Sequence, residues 1–197
     1  RMGHPRRGLR RRAQEVSAVL IGAGRYPVRT VSGKPPVATH QPEPDERFEQ
    51  NIVIAATPAA VFECFFKPDA LRAWWQVVRS VTTPVAFGVY AVAWAPTPYR
   101  DDILGTLGGV FHGTIVEVRT GHQFLVADAY WVPPQGEPIG PMAFEVTCRP
   151  DPAGCRLHVR QDGYEASPRW RRYYAVVARG WQVSLIALKR YAEDSGH

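Results

Sequence analysis

From Phe48 onward the spacing of apolar positions changes three times, and each change marks a different kind of element. Residues 48–56 (Phe-Glu-Gln-Asn-Ile-Val-Ile-Ala-Ala) are rich in β-branched side chains and predict a strand. Thr57-Pro58 then supplies an N-cap hydroxyl and a proline at the first helical position. In the helix predicted over residues 58–66, Val61, Phe62, Phe65 and Phe66 fall on one face. Lys67-Pro68-Asp69 interrupts it, and a second short helix over residues 70–75 ends in Trp74-Trp75.

Period two takes over next, with strands predicted over residues 77–82, 88–95, 110–119, 123–131, 142–149 and 155–161. Turn residues separate most of them: Thr120-Gly121, Pro133-Pro134-Gln135-Gly136 and Pro150-Asp151-Pro152-Ala153-Gly154. Consecutive strands joined by short turns imply an antiparallel meander. The connection over residues 96–109 is the exception, a Pro- and Gly-rich stretch of the length at which loops are functional or mobile. Alternation is sharpest where Phe144, Val146 and Cys148 oppose Glu145 and Thr147, and where Leu157 and Val159 oppose Arg156, His158 and Arg160. One side of the sheet is therefore expected to be apolar and the other wet.

The last element returns to helical spacing. Ser167-Pro168 repeats the cap-plus-proline start, and Trp170, Tyr174, Val177, Trp181, Leu185 and Leu188 form one stripe, with Arg169, Arg172, Arg179 and Arg190 outside it. A helix reaching about residue 191 is roughly 33 Å long, enough to cross the sheet. The pattern as a whole predicts an α+β domain over residues 48–193.

Charge changes the picture only at one end. Residues 1–47 carry ten Lys/Arg against four Asp/Glu, a net +6, while the remainder carries fourteen of each. A neutral domain offers no broad footprint for phosphates, so nucleic acid is not an expected partner. The first 47 residues read as a basic, Pro-rich, disordered extension, and residues 194–197 as a tail. Residues 16–23 form a short apolar stretch, but Glu15 intrudes at its edge and no cleavage site follows, which reads against a secretory signal. No apolar run reaches the roughly 18 residues that span a bilayer, so membrane insertion is not expected. Cys64, Cys148 and Cys155 match no zinc or redox spacing. They read as reduced, packed thiols of a cytoplasmic protein, with Cys148 and Cys155 near each other across a hairpin.

Strand, two short helices, meander and long helix is the order of the helix-grip fold. The words Ala56-Thr-Pro-Ala-Ala-Val-Phe-Glu-Cys-Phe-Phe-Lys-Pro-Asp-Ala-Leu-Arg-Ala-Trp-Trp75, Gly113-Thr-Ile-Val-Glu-Val118 and Gly180-Trp181 followed by Leu185 and Leu188 carry a further likeness. They resemble the START-like (SRPBCC) superfamily, and within it the branch named after the C-terminal domain of the heat-shock-protein ATPase activator. Phe87-Gly88 departs from that branch, which has two adjacent glycines before the third strand. The resemblance implies a curved antiparallel sheet of six to seven strands gripping the C-terminal helix, with a cavity between them. It does not fix a function, because the superfamily includes lipid carriers, hormone receptors, polyketide cyclases and chaperone activators.

In such a cavity Trp94, Phe144, Tyr174, Val177 and Trp181 are the expected apolar liners, and His112, Asp128 and Tyr130 the polar ones. Asp128 and Tyr130 alternate onto one face of a strand, with His112 on a neighbour. Two readings are open for them: an acid–base group for a cyclase-like enolisation or dehydration, or polar residues on the wet face. Trp74-Trp75 leaves two placements open, beneath the domain or at the pocket mouth. Asp101-Asp102 reads as solvated, and no His pair has ligand spacing on one element, so no metal or cofactor is called for. The expected function is binding of a small, largely apolar molecule. The alternatives are a polyketide cyclase/dehydratase-like enzyme and a chaperone-regulating or other protein-interaction module; a homodimer is compatible with either.

Overall fold

A computed structural model describes residues 47–163 and 165–195. The basic extension before Arg47 and the last two residues of the tail lie outside the described residues. Strand β1 (Arg47–Ile54) leads into helices α1 (Pro58–Glu63) and α2 (Pro68–Trp75). Strands β2 (Arg79–Thr82), β3 (Val89–Trp94), β4 (Arg100–Asp101), β5 (Gly105–Thr106), β6 (Gly109–Arg119), β7 (Gln123–Val132), β8 (Ile139–Asp151) and β9 (Gly154–Asp162) follow. Helix α3 (Pro168–Asp194) closes the chain. Seven strands form one antiparallel sheet in the order β1-β9-β8-β7-β6-β3-β2, curved around α3 as in the helix-grip fold.

Both cap-plus-proline signals operate as helix starts. The Thr57 side chain accepts from the Ala60 amide, and that of Ser167 from the Trp170 amide. Helix α1 stops at Glu63, before the Phe66 end that its apolar face suggests. Pro68 opens the next helix five residues later, and Cys64–Phe66 bridge the two as a turn. Helix α2 stops at Gln76, which takes the left-handed conformation (φ 58°) and donates its amide to the Leu71 carbonyl. All six residues of the predicted α3 stripe are buried, with Tyr173, Val176 and Ala192 widening it.

Two departures from the sequence pattern matter for function. First, the connection over residues 96–109 is not a free loop. Strands β4 and β5 pair as a small hairpin, Leu104 and Leu107 are buried, and the hairpin is tied to α3 by Asp101. Second, β7 carries a bulge: Val126 and Ala129 both point inward with two residues between them, and Asp128 takes φ 48°. Gly113 on β6 faces this bulge. A Cβ there would lie 2.6 Å from Val126 Cγ1 and 2.9 Å from the Ala127 carbonyl oxygen, so the glycine of the Gly113-Thr-Ile-Val-Glu-Val118 word is what lets the bulge close.

Candidate functional site

The concave face of the sheet projects Tyr90, Val92 and Trp94 from β3, Phe111 and Ile115 from β6, Phe124 and Val126 from β7, and Phe144 and Val146 from β8, all buried. Helices α2 and α3 close over them with Trp74, Trp75, Tyr174, Val177 and Trp181. Five of the expected liners (Trp94, Phe144, Tyr174, Val177 and Trp181) are therefore on the inner side, and the rings among them join one aromatic cluster. Trp181 stacks on Phe48 (5.6 Å) and Phe144 (5.7 Å) and meets Trp75 at 4.9 Å, while Trp75 meets Trp94 edge-on at 5.0 Å. Trp74 stacks on Trp75 at 4.8 Å, so both indoles pack under α3.

Most polar ends of these rings are taken by backbone carbonyls. The Nε1 of Trp74 donates to Cys64 O (2.9 Å), that of Trp94 to Trp75 O (2.7 Å) and that of Trp131 to Gly108 O (3.0 Å). The Tyr174 hydroxyl donates to Gly163 O (2.7 Å). Tyr90 is different. Its hydroxyl is buried and has no hydrogen-bond partner, and its ring lies among Phe66, Phe111, Phe124 and Phe144 at centroid distances of 5.5–6.4 Å. Burial pushes its pKa far above the ordinary phenol value, so it is a neutral donor. The alternation Tyr90, Val92, Trp94 was the signal that could have found it.

The three polar candidates are elsewhere. His112 and Tyr130 are direct cross-strand partners on the outer face, their rings stacked at 6.0 Å. With Val132 and Pro138 they line a surface recess of about 310 Å³. Burial lowers the His112 pKa, which keeps the imidazole neutral near pH 7. Asp128 is exposed at the bulge, so the strict alternation that would have placed it beside Tyr130 is broken by the extra residue. The structure thus joins His112 to Tyr130 and leaves Asp128 apart, with all three outside the aromatic interior.

One polar group was missed by sequence reasoning. Asp101, expected to be solvated, is buried. It accepts from the amides of Ile103 (2.9 Å) and Leu104 (3.0 Å) and from Arg172 of α3. Burial pushes its carboxyl up, but the Arg172 hydrogen bond, the two amides and the Arg172 charge outweigh that and hold it below the ordinary value. Arg169, one turn earlier, donates to the carbonyls of Glu137 and Pro138. The N-terminal half of α3 is thereby fastened to two loops at the rim of the interior.

The cysteines are free and buried. The Cys155 thiol hydrogen bond, with burial, raises the Cys148 pKa, and burial pushes Cys64 up to about 11, while the hydrogen bond to Cys148 lowers that of Cys155; all three are packed in the interior. Among the described residues no group of His, Cys, Asp and Glu is placed to hold a metal, and no helix is long and apolar enough to cross a membrane.

An antiparallel sheet gripping one long helix, with an aromatic interior between them, defines the START-like class. The comparisons make this specific: residues 55–193 match the family described as "Activator of Hsp90 ATPase homolog 1-like protein", and the chain belongs to that family. Solved structures similar in fold include a protein of Mesorhizobium loti (17% identity, TM-score 0.57), which covers 76% of this chain and 98% of its own. A protein of Nitrosomonas europaea (12%, TM-score 0.58) covers 78% and 97%. The structure described as the Aha1 dimer from Colwellia psychrerythraea (14%, TM-score 0.51) covers 75% and 96%. The comparison with curated proteins gave no match. Membership supports a ligand-binding or regulatory module in general.

Proposed function

We propose that this domain encloses one small, largely apolar molecule between the concave sheet face and α3, with the Tyr90 hydroxyl holding the guest's polar group. The buried, unpartnered Tyr90 hydroxyl carries the reading. An unsatisfied buried donor costs about 1–3 kcal/mol, which an acceptor oxygen on a guest recovers. The rings of Phe66, Phe111, Phe124 and Phe144 around it suit a flat or ring-bearing guest, and Trp94, Tyr174, Val177 and Trp181 are the other proposed liners. Because these rings now touch one another, a guest is admitted by parting α3 from the sheet and from the β4–β5 hairpin, against the Asp101–Arg172 pair.

Binding is favoured over cyclase-like turnover because the phenols inside, Tyr90, Tyr173 and Tyr174, have pKa values that burial pushes up. They suit holding an oxygen better than removing a proton. His112, Asp128 and Tyr130 take no part in this reading. The family description supports regulation of an Hsp90-type ATPase as the alternative. The packed, free thiols fit a reducing, cytoplasmic setting.

Native mass spectrometry of the freshly purified full chain tests the proposal. The expected result is a mass excess of a few hundred daltons that disappears on denaturation. An empty protein whose melting temperature responds to no member of a panel of ring-bearing lipophiles contradicts it. Stimulation of a chaperone ATPase by such an empty protein would move the assignment to the regulatory reading.

A further inference from the structure

The outer face of the sheet is divided. On β8, β9 and β1 it is charged and paired within itself: Glu49 with His158 (2.9 Å), and Arg160 with Asp162 (2.7 Å). On β2, β3 and the adjoining halves of β6 and β7 it is mainly apolar, with Glu117, Arg119 and Asp128 beyond its margin. The cross-strand rows there read Arg79–Ala93–Val110–Val132, Val81–Ala91–His112–Tyr130 and Val89–Thr114–Ala127. Val78, Val81, Val85, Phe87, Val89 and Val116, six of the most exposed large apolar side chains, all belong to the β2–β3 hairpin or the adjoining part of β6.

Phe87 is the most prominent of these. It is 84% exposed and takes φ 63°, a conformation that costs a non-glycine residue roughly 1–2 kcal/mol. Its place is fixed: its amide donates to Ile115 O (2.7 Å), and the Ile115 amide donates to Gly88 O (2.8 Å). A strained turn that holds a phenyl ring in water is unexplained by the fold of a single copy. Farther along the same strands is the recess of about 310 Å³ between His112, Tyr130, Val132 and Pro138. An apolar space of about 150 Å³ already takes a benzene ring.

We infer that a second copy of this chain covers the apolar half of the outer face, in a two-fold arrangement where each Phe87 enters the other copy's His112–Tyr130 recess. Phe87 flanks Ile115, three residues along β6 from His112, so knob and hole are separated by about 10 Å along the strands. A half-turn about an axis in the plane between two facing sheets, midway between knob and hole, forms both contacts at once. That self-complementarity is what an isologous interface requires. The six exposed side chains offer on the order of 500 Å² of apolar surface. With the half-buried alanines and valines of the rows, the face approaches the roughly 800 Å² per partner of a standard interface. The charged half stays in water, its ion pairs undisturbed. This inference stands independently of what the interior holds.

Sedimentation velocity of the full chain from about 1 to 100 μM tests it. The expected species is a dimer at twice the 22.0 kDa chain mass. F87E and V81E should each weaken it at least tenfold with an unchanged melting temperature, while N51E on the charged half leaves it intact. As a test of geometry, F87C and P138C chains mixed under oxidised glutathione should form a disulfide-linked heterodimer that neither variant forms alone. A monomer at 100 μM, a dimer indifferent to F87E, or no cross-link in the mixture overturns the inference. So would capture of another protein by a patch that remains monomeric.

Discussion

Asp101 and Arg172, 71 residues apart in sequence, meet at 2.5–2.7 Å and fasten the β4–β5 hairpin to the first turns of α3. The carboxylate is almost completely buried, while the Arg172 side chain is a third exposed. Solvent therefore weakens the charge attraction, but removal of the arginine strands a buried anion. Arg172→Ala should cost about 1–3 kcal/mol in urea melts, and it should speed hydrogen exchange over residues 100–106 more than in the central strands.

The same pair sets a pH dependence. The Asp101 carboxyl is held below its ordinary value in the folded state, so the unfolded chain binds this proton more readily. The stabilisation is fully present above the ordinary carboxylate range and is lost as pH falls through the depressed folded value. Melts of the parent and of Asp101→Asn should converge toward acid pH. A difference constant from pH 7 to pH 3 contradicts the assignment.

Tyr90→Phe removes the orphan hydroxyl while keeping the ring. In guest-free protein it should be neutral or stabilising by about 1 kcal/mol, the reverse of the usual effect of losing a buried polar group. Destabilisation by more than 1 kcal/mol, with no guest bound, would mean the hydroxyl has a partner in solution.

Gly113→Ala puts a methyl group against Val126 and the Ala127 carbonyl at the β7 bulge. Backbone on one side cannot yield cheaply, and the expected loss is roughly 1–3 kcal/mol. Trp181→Ala empties the centre of the aromatic cluster and should cost about 3–5 kcal/mol. Thermal melts of the two variants separate a strained sheet from a hollow interior, because only the second should bind small aromatic probes.

How far the sequence carries is clear from particular residues. The α3 stripe and the caps at Thr57 and Ser167 were legible because they rest on spacing and on one local hydrogen bond each. Trp94, Phe144 and Trp181 were legible as inner residues because strand and helix periods fix a face. Of the two readings open for Asp128, the wet face is where it lies, but the extra residue that sets it apart from Tyr130 leaves no mark in the alternation. The wet outer face held for β8 and β9, where alternating charges announce it, and failed for β2, β3 and β6, whose outward valines look like core. Asp101 could not be read, since its partner is on a distant element and nothing local marks the pair. Tyr90 was readable as buried, but a missing partner is a property of three-dimensional surroundings alone.

The central claim is that a guest is held inside, at Tyr90. Its most direct test is the affinity of the parent, Y90F and Y130F for the molecule recovered from the purified protein, by calorimetry. Loss of one hydrogen bond of about 1 kcal/mol predicts roughly five- to tenfold weaker binding for Y90F and none for Y130F. Equal affinity of Y90F and parent, or weakening by Y130F instead, would contradict the account and move the site to the outer face.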